Sequence, residues 1–259
     1  MTAIENLLVN YNSNFDRNST FHSITRIILQ NLNQASKMSI DDLAQFCFTS
    51  PSTISRIVKN LGYKNYSAFQ SSLSRCLNEY RFHNVVVSAP SYFSLSEQIN
   101  FLFDSELDLI NQVKRNLDLD MVQDVAACLR ASNYVALFPY VSVFMELSLQ
   151  SDLMYSGICC DIISDMDAQL SCAKKLPSET TSLIIAPDGP AGISHFTELL
   201  ESAARNGNKT CVITSSVSAR NMQNADYLFS FEGKHSICDQ FAVQTIIAAI
   251  ILAYRGLIL

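Results

Sequence analysis

The stretch from Met38 to Leu61, MSIDDLAQFCFTSPSTISRIVKNL, constrains the fold of this chain more than any other. Ser39 begins a short amphipathic helix: Ile40, Leu43, Ala44 and Cys47 recur at helical spacing, and Asp41 and Asp42 fall in the first turn, where the helix dipole favours acid. That helix is expected to stop near Phe48. Thr49, Ser50 and Pro51 then form a second start signal, because serine caps exposed backbone N–H groups and proline is tolerated at the first helical position. In the helix that follows, Ile54, Ile57, Val58 and Leu61 share one side, leaving Ser52, Thr53, Ser55, Arg56 and Lys59 for the rest of the surface. Two short, tightly joined helices, the second polar and basic on its free face, describe a helix-turn-helix. The pattern alone also fits an ordinary helical hairpin in an all-α domain.

With 259 residues the chain is long for one domain and comfortable for two. A hydrophobic fraction of 48% against 16% charged residues is enough for packed cores. The net charge of −6 argues against nonspecific attraction of the whole molecule to polyanions, but the charge is uneven. Through His83, eight basic residues stand against five acidic ones, a net +3, and the remainder carries −9. A mildly basic head on an acidic body suits a protein that meets double-stranded DNA at one end. The eight cysteines include no C-x-x-C pair and several interrupt apolar runs, as expected of buried free thiols in a reducing cytoplasm. His22, His83, His195 and His235 have no metal-pair spacing, so neither a metal site nor a cofactor is expected. The first residues lack the basic and apolar regions of a secretory signal. The most apolar run, Ile246 to Tyr254, is far shorter than the roughly 20 residues a bilayer span needs and reads as a buried core helix.

Ile4, Leu7, Leu8 and Val9 suggest a turn or two of helix near the start, and the period of Ile24, Ile27, Ile28 and Leu32 predicts a support helix over Phe21 to Leu32. After a turn at Gly62, a further helix from about Ser67 carries Phe69, Leu73 and Leu77 inward, so four or five helices close a head over residues 1–83. Residues 84–116 read as a linker and connecting helix. In that helix, capped by Ser94 or Ser96, Ile99, Leu102, Phe103, Leu107, Ile110 and Val113 form an apolar face suited to a dimer contact. From 117 to 259 the rhythm changes. Short apolar runs at Tyr134–Phe138, Ile158–Ile163, Leu183–Ala186, Cys211–Thr214 and Tyr227–Phe231 alternate with helical stretches at Phe144–Met154, Phe196–Arg205 and Cys238–Tyr254. This predicts an α/β body, a doubly wound parallel sheet covered on both faces.

The run SPSTISRIVKNLGYKNYSAF, with Ser-Pro-x-Thr-x-Ser-Arg, then Lys-x-Leu-Gly-Tyr and Tyr-Ser-x-Phe, resembles the helix-turn-helix domain of the RpiR (MurR) family of bacterial transcriptional regulators. The resemblance implies a C-terminal sugar isomerase (SIS) domain, an α/β fold that in relatives binds phosphosugars, and control of carbohydrate-metabolism genes. One departure lies in the head: the family commonly has glycine in the turn, and here the matching residue is Phe48, so the turn must take another path or tolerate a strained φ. The body departs further. The family's Gly-x-Gly-x-Ser loop after the first strand is Pro139-Tyr140-Val141-Ser142-Val143, and its Ser-x-Ser-Gly-x-Thr loop is Asp188-Gly189-Pro190-Ala191-Gly192-Ile193. Asp188 repels a phosphate and Pro190 offers no backbone N–H. Only Thr214, Ser215 and Ser216 keep the hydroxyl-rich character.

These readings favour a DNA-binding regulator whose body supplies dimerisation and an effector site. From helix-turn-helix docking, Ser52, Thr53 and Arg56 are assigned to bases or nearby phosphates, Ser50, Lys59 and Lys64 to phosphates, and Ser55 to either set. The candidate effector residues, for a sugar-derived ligand, are Ser142, Asp188, Thr214, Ser215 and Ser216. Two alternatives stay open: a SIS-type enzyme, a phosphosugar isomerase or deaminase, with Glu146, Asp165, Asp167, Glu198, Glu232 or His235 as general base, and a purely structural body. No catalytic residue is assigned, and a cytoplasmic homodimer or higher homo-oligomer is expected.

Overall fold

The computed structural model describes residues 3–13, 19–83, 86–140, 144–186, 193–215, 219–234, 236 and 238–258, in two compact units, 1–84 and 85–259. Among the described residues the first unit holds six helices: α1 (Ala3–Ser13), α2 (Thr20–Gln30), α3 (Leu32–Ala35), α4 (Ile40–Phe46), α5 (Pro51–Asn60) and α6 (Tyr66–His83). This is one more than the sequence reading allowed. Asn31 breaks the expected support helix: its side chain donates to the Ile27 carbonyl (2.8 Å) and its backbone leaves the helical region at φ −135°, so α3 starts as a separate turn. One core joins the helices, built on Ala3, Leu7, Ile24, Ile28, Leu43, Ile54, Val58, Phe69 and Leu73.

The second unit begins with α7 (Leu95–Asn116) and α8 (Leu119–Ala131). Strand β1 (Tyr134–Phe138) follows, then α9 (Phe144–Tyr155), β2 (Cys159–Ile162), α10 (Met166–Ala173), β3 (Thr180–Ala186), α11 (Ile193–Ala203), β4 (Lys209–Ser215), β5 (Tyr227–Phe231) and α12 (Asp239–Ile258). The strands form one sheet in the order β2-β1-β3-β4-β5, each neighbouring pair parallel. Successive strand residues alternate between its faces. Val135, Leu137, Leu183, Ile185, Cys211 and Ile213 meet α7, α8, α9 and α12 on one side. Ala136, Phe138, Ile184, Ala186 and Val212 meet α10 and α11 on the other. Burial on both faces makes β1 and the second half of β3 continuous apolar runs, while the edge strand β2 is exposed at Cys159 and Asp161.

Three differences from the sequence expectations have physical causes. Helix α7 was expected as a connector, but Leu109 and Val113 are buried in the body's core, which makes it part of the second unit. Strand β3 starts at Thr180, three residues early, because its polar residues are partnered: Thr180 Oγ1 donates to the Pro177 carbonyl (2.8 Å), Thr180 N–H donates to Asn208 Oδ1 (3.1 Å), and the Thr181 and Ser132 hydroxyls lie 2.6 Å apart. Helix α12 runs 20 residues, long and apolar enough to cross a membrane by length and composition. Its Val243, Ile246, Ile247, Ile250 and Tyr254 are instead packed in the core of the second unit.

Candidate nucleic-acid interface and effector crevice

Both helices of the central motif are capped by their own sequence. Ser39 Oγ accepts from the Asp42 N–H (3.1 Å) while Asp42 accepts in return from the Ser39 N–H, a capping box that fixes the start of α4. Ser50 Oγ accepts from the Thr53 N–H (3.3 Å), and Pro51 occupies the first position of α5. Between the helices, Phe48 N–H donates to Gln45 O (3.1 Å) and Thr49 N–H to Ala44 O (2.8 Å). These bonds close a Schellman turn around Phe48, whose φ is +53°. The chain therefore takes the path a glycine would take, with the strain that a side chain adds.

On α5, Ile54, Ile57 and Val58 are buried against α4 and α6, while Ser52, Arg56 and Lys59 are exposed at spacings of four and three, one stripe down the helix. Thr53 and Ser55 are half-buried beside it, and Lys64 is exposed in the following turn. The hydroxyls at the helix start form a cluster, with Ser50 Oγ 2.8 Å from Ser52 Oγ and 3.0 Å from Thr53 Oγ1. Among the described residues Arg56, Lys59 and Lys64 form no ion pair, so their charge is available to an anionic partner. Tyr66 and Gln70 anchor the motif from α6, both donating to the Met38 carbonyl just ahead of α4 (2.8 and 2.7 Å). Burial pushes the Tyr66 hydroxyl up to about 12 and the Cys47 thiol up to about 11, so both stay neutral. All seven sequence-assigned DNA residues thus sit on one short segment, with both helix ends fixed.

In the body, the strand order places a switch point between β1 and β3, where connections leave the sheet in opposite directions and ligands settle at the carboxyl ends of strands. Of the candidate effector residues, Ser142, Asp188 and Ser216 lie outside the described residues. Thr214 and Ser215 end β4 and are buried; Thr214 donates its hydroxyl to the Ala186 carbonyl of β3. Among the described residues the Ser215 hydroxyl, buried there, has no hydrogen-bond partner.

Beside this crevice one buried group, Gln169, escaped the sequence reading, and one candidate acid, Glu146, is found buried. Gln169 on α10 is fully buried and donates both amide hydrogens, to Pro139 O after β1 and Ile163 O after β2 (2.9 Å each). Its Oε1 therefore accepts from His195 Nε2 at the start of α11 (2.9 Å), which fixes that nitrogen as a donor. One amide so ties three elements bordering the crevice, and its partners lie too far along the chain for a local sequence signal to mark it. Glu146, one of the acids considered as a base, is completely buried in the first turn of α9, with Gln244 Nε2 3.3 Å from its carboxylate. Burial raises its pKa above the usual carboxylate range. The other acids serve structure: Asp165 caps α10 by accepting from the Ala168 N–H (2.9 Å), and Glu198 pairs with Lys174 (2.9 Å), which lowers its pKa. Glu232 is exposed, and the Asp167 side chain and His235 lie outside the described residues.

A carboxyl whose pKa is higher folded than unfolded stabilises the fold below the unfolded value, and that contribution is lost as pH rises through the folded one. Glu146→Gln is therefore expected to raise the thermal midpoint at neutral and alkaline pH. The gain should shrink as pH falls through 4.5, below which the parent carboxyl is protonated in both states. A midpoint difference that is flat from pH 4 to pH 8 would show that Glu146 does not titrate differently in the two states.

The fold and site define the class: a helix-turn-helix head carried on a doubly wound α/β body. Residues 5–79 match the family described as the helix-turn-helix domain of the rpiR family, so the head belongs to that family and the chain is a DNA-binding regulator of this type. No curated protein matches the chain. Among solved structures, the C-terminal domain of glucosamine-fructose-6-phosphate aminotransferase from Francisella tularensis is 7% identical, with 79% of this chain and 53% of that one covered and a TM-score of 0.50. That likeness is one of fold. The Vibrio vulnificus NanR protein complexed with ManNAc-6P covers 97% of this chain and 91% of its own, at 15% identity and a TM-score of 0.49. The sugar isomerase domain of an RpiR transcription factor from Sphaerobacter thermophilus covers 62% of this chain and 88% of its own, at 16% identity and a TM-score of 0.48.

Proposed function

We propose that this regulator works in the cytoplasm as a homodimer, reads an operator through the start of α5, and answers to a small sugar-derived effector that is not an ordinary phosphosugar. The observation that carries the reading is the exposed Ser52–Arg56–Lys59 stripe on a doubly capped helix within an rpiR-family domain. In such docking the first residues of the second helix meet base edges and its later cations hold phosphates. Ser52, Thr53 and Arg56 then meet bases or nearby phosphates, Ser50, Lys59 and Lys64 hold phosphates, and Ser55 serves either. Control of carbohydrate-metabolism genes accords with the family of the head. The body is read as a sensor, because the described acids considered for catalysis are buried, capping, paired with lysine or left on the surface.

Dimerisation is assigned to α7. Its buried side faces the body's core, yet Leu95, Ile99, Phe103, Leu107 and Ile110, spaced four, four, four and three residues apart, remain exposed on the other side. A stripe of large apolar groups at this period fits a second copy of the same helix. Phe103→Glu with Leu107→Glu should convert a dimer to a monomer in sedimentation at micromolar concentration; a monomeric parent, or an unaffected dimer, would remove the assignment. Selection of duplexes from a random-sequence pool by the full chain tests the reading as a whole. The expected result is an enriched site of two inverted half-sites about one helical turn apart, and a pool that stays random would contradict it.

A further inference from the structure

We infer that Phe48 is a DNA-contacting residue, its ring packing on the apolar edges a duplex presents beside the start of α5. The inference rests on the reading of that helix as the DNA-facing element, and it begins from two costs at one residue. Phe48 is held at φ +53°, where a bulky L-residue is a genuine outlier, and the residue is 94% exposed. Glycine would meet the same Schellman turn without either cost. Nothing in the described part of the free protein offsets them: the ring joins neither the head's core nor an aromatic pair, although Phe46, two residues earlier, packs against that core. A strained, solvent-facing aromatic that does nothing for the free fold points to a use in a bound state.

Position identifies the partner. Phe48 lies two residues before the Ser50 cap and is held by the backbone bonds that set the angle between α4 and α5. Its ring therefore leaves the chain on the turn that precedes the Ser50, Ser52 and Thr53 hydroxyls, at the end of the recognition helix that enters the major groove. Thymine methyls in the groove and deoxyribose along its wall offer the apolar surface that such a ring can cover. The contact adds affinity without charge, which separates it from Arg56 and Lys59.

The experiment compares the full-length parent, Phe48→Gly, Phe48→Leu and the Arg56→Ala/Lys59→Ala double variant on one duplex selected by the parent from a random pool. Phe48→Gly is expected to melt at a higher temperature than the parent while binding about ten-fold more weakly, with an unchanged slope of log affinity against log salt. Phe48→Leu, which keeps an apolar side chain, should lose less. A purely structural residue cannot produce that pair of opposite signs. Phe48→Gly binding within two-fold of the parent, or changing only self-association in sedimentation, would overturn the inference. If the double variant weakens binding while Phe48→Gly does not, this inference alone falls; if neither does, the reading of α5 falls as well. Replacing thymine by deoxyuridine separates the two sources of apolar surface: a loss for the parent that Phe48→Gly does not share assigns the contact to methyl groups, and an equal response assigns it to the sugars.

Discussion

Replacing Arg56 and Lys59 together by alanine is expected to weaken duplex binding by roughly a hundred-fold at moderate salt, since two charge-assisted contacts at about 1.5 kcal/mol each amount to two decades in affinity. The slope of log affinity against log salt should flatten by about one for Lys59, and by about one more where Arg56 meets a phosphate rather than a base edge, because each phosphate contact releases close to one counterion. Both side chains are exposed, and among the described residues neither is ion-paired, so the substitutions remove charge without unsettling the head. Ile54, Ile57 and Val58, which hold α5 in place, are untouched. Fluorescence anisotropy at several salt concentrations measures both quantities, and unaltered affinity and slope would rule out this face.

The second large effect concerns the body, which is expected not to hold ordinary phosphosugars in the manner the head's family implies. Such a site gathers hydroxyls and backbone N–H groups around the phosphate. Here one loop reads Pro139 to Val143 and the other Asp188 to Ile193, with Ser142 as the only hydroxyl of either besides the Tyr140 phenol. The Thr214 hydroxyl is spent on the Ala186 carbonyl. Losing three charge-assisted bonds costs on the order of 5 kcal/mol, which turns a micromolar site into one weaker than millimolar. The Asp188 charge acts in the same direction. Calorimetry against hexose and amino-sugar phosphates should show no binding below the millimolar range. A low-micromolar Kd that disappears on mutating either loop would show that these loops hold phosphate after all.

What could be read from the sequence is what short-range chemistry dictates. Ser39 with Asp42, and Ser50 with Pro51, mark both helix starts of the motif within four residues each, so α4 and α5 were legible to within a residue or two. Strands β1 and β5 were legible because their residues form apolar runs bounded by polar turns. The illegible features join residues far apart. Thr180 belongs to a strand because Asn208 and Pro177 satisfy its polar groups. Gln169 and His195 lie 26 positions apart, and Glu146 and Gln244 lie 98 apart. Phe48 stands between these cases: the missing glycine was visible, but only the backbone shows that the chain keeps glycine's path and strains the phenylalanine to follow it. Likewise α7 was visible as amphipathic, yet its two apolar sides could be told apart only once Leu109 and Val113 were seen inside the core and Phe103 and Leu107 outside it.

The most direct test of the central claim, that the start of α5 reads duplex DNA, is amide hydrogen exchange of the full chain with and without its selected duplex. Protection gained on binding is expected to concentrate in peptides spanning residues 48–64, including Ser50, Ser52, Thr53, Arg56, Lys59 and Lys64. Protection confined to the body, or absent from that segment while the duplex is demonstrably bound, would contradict it.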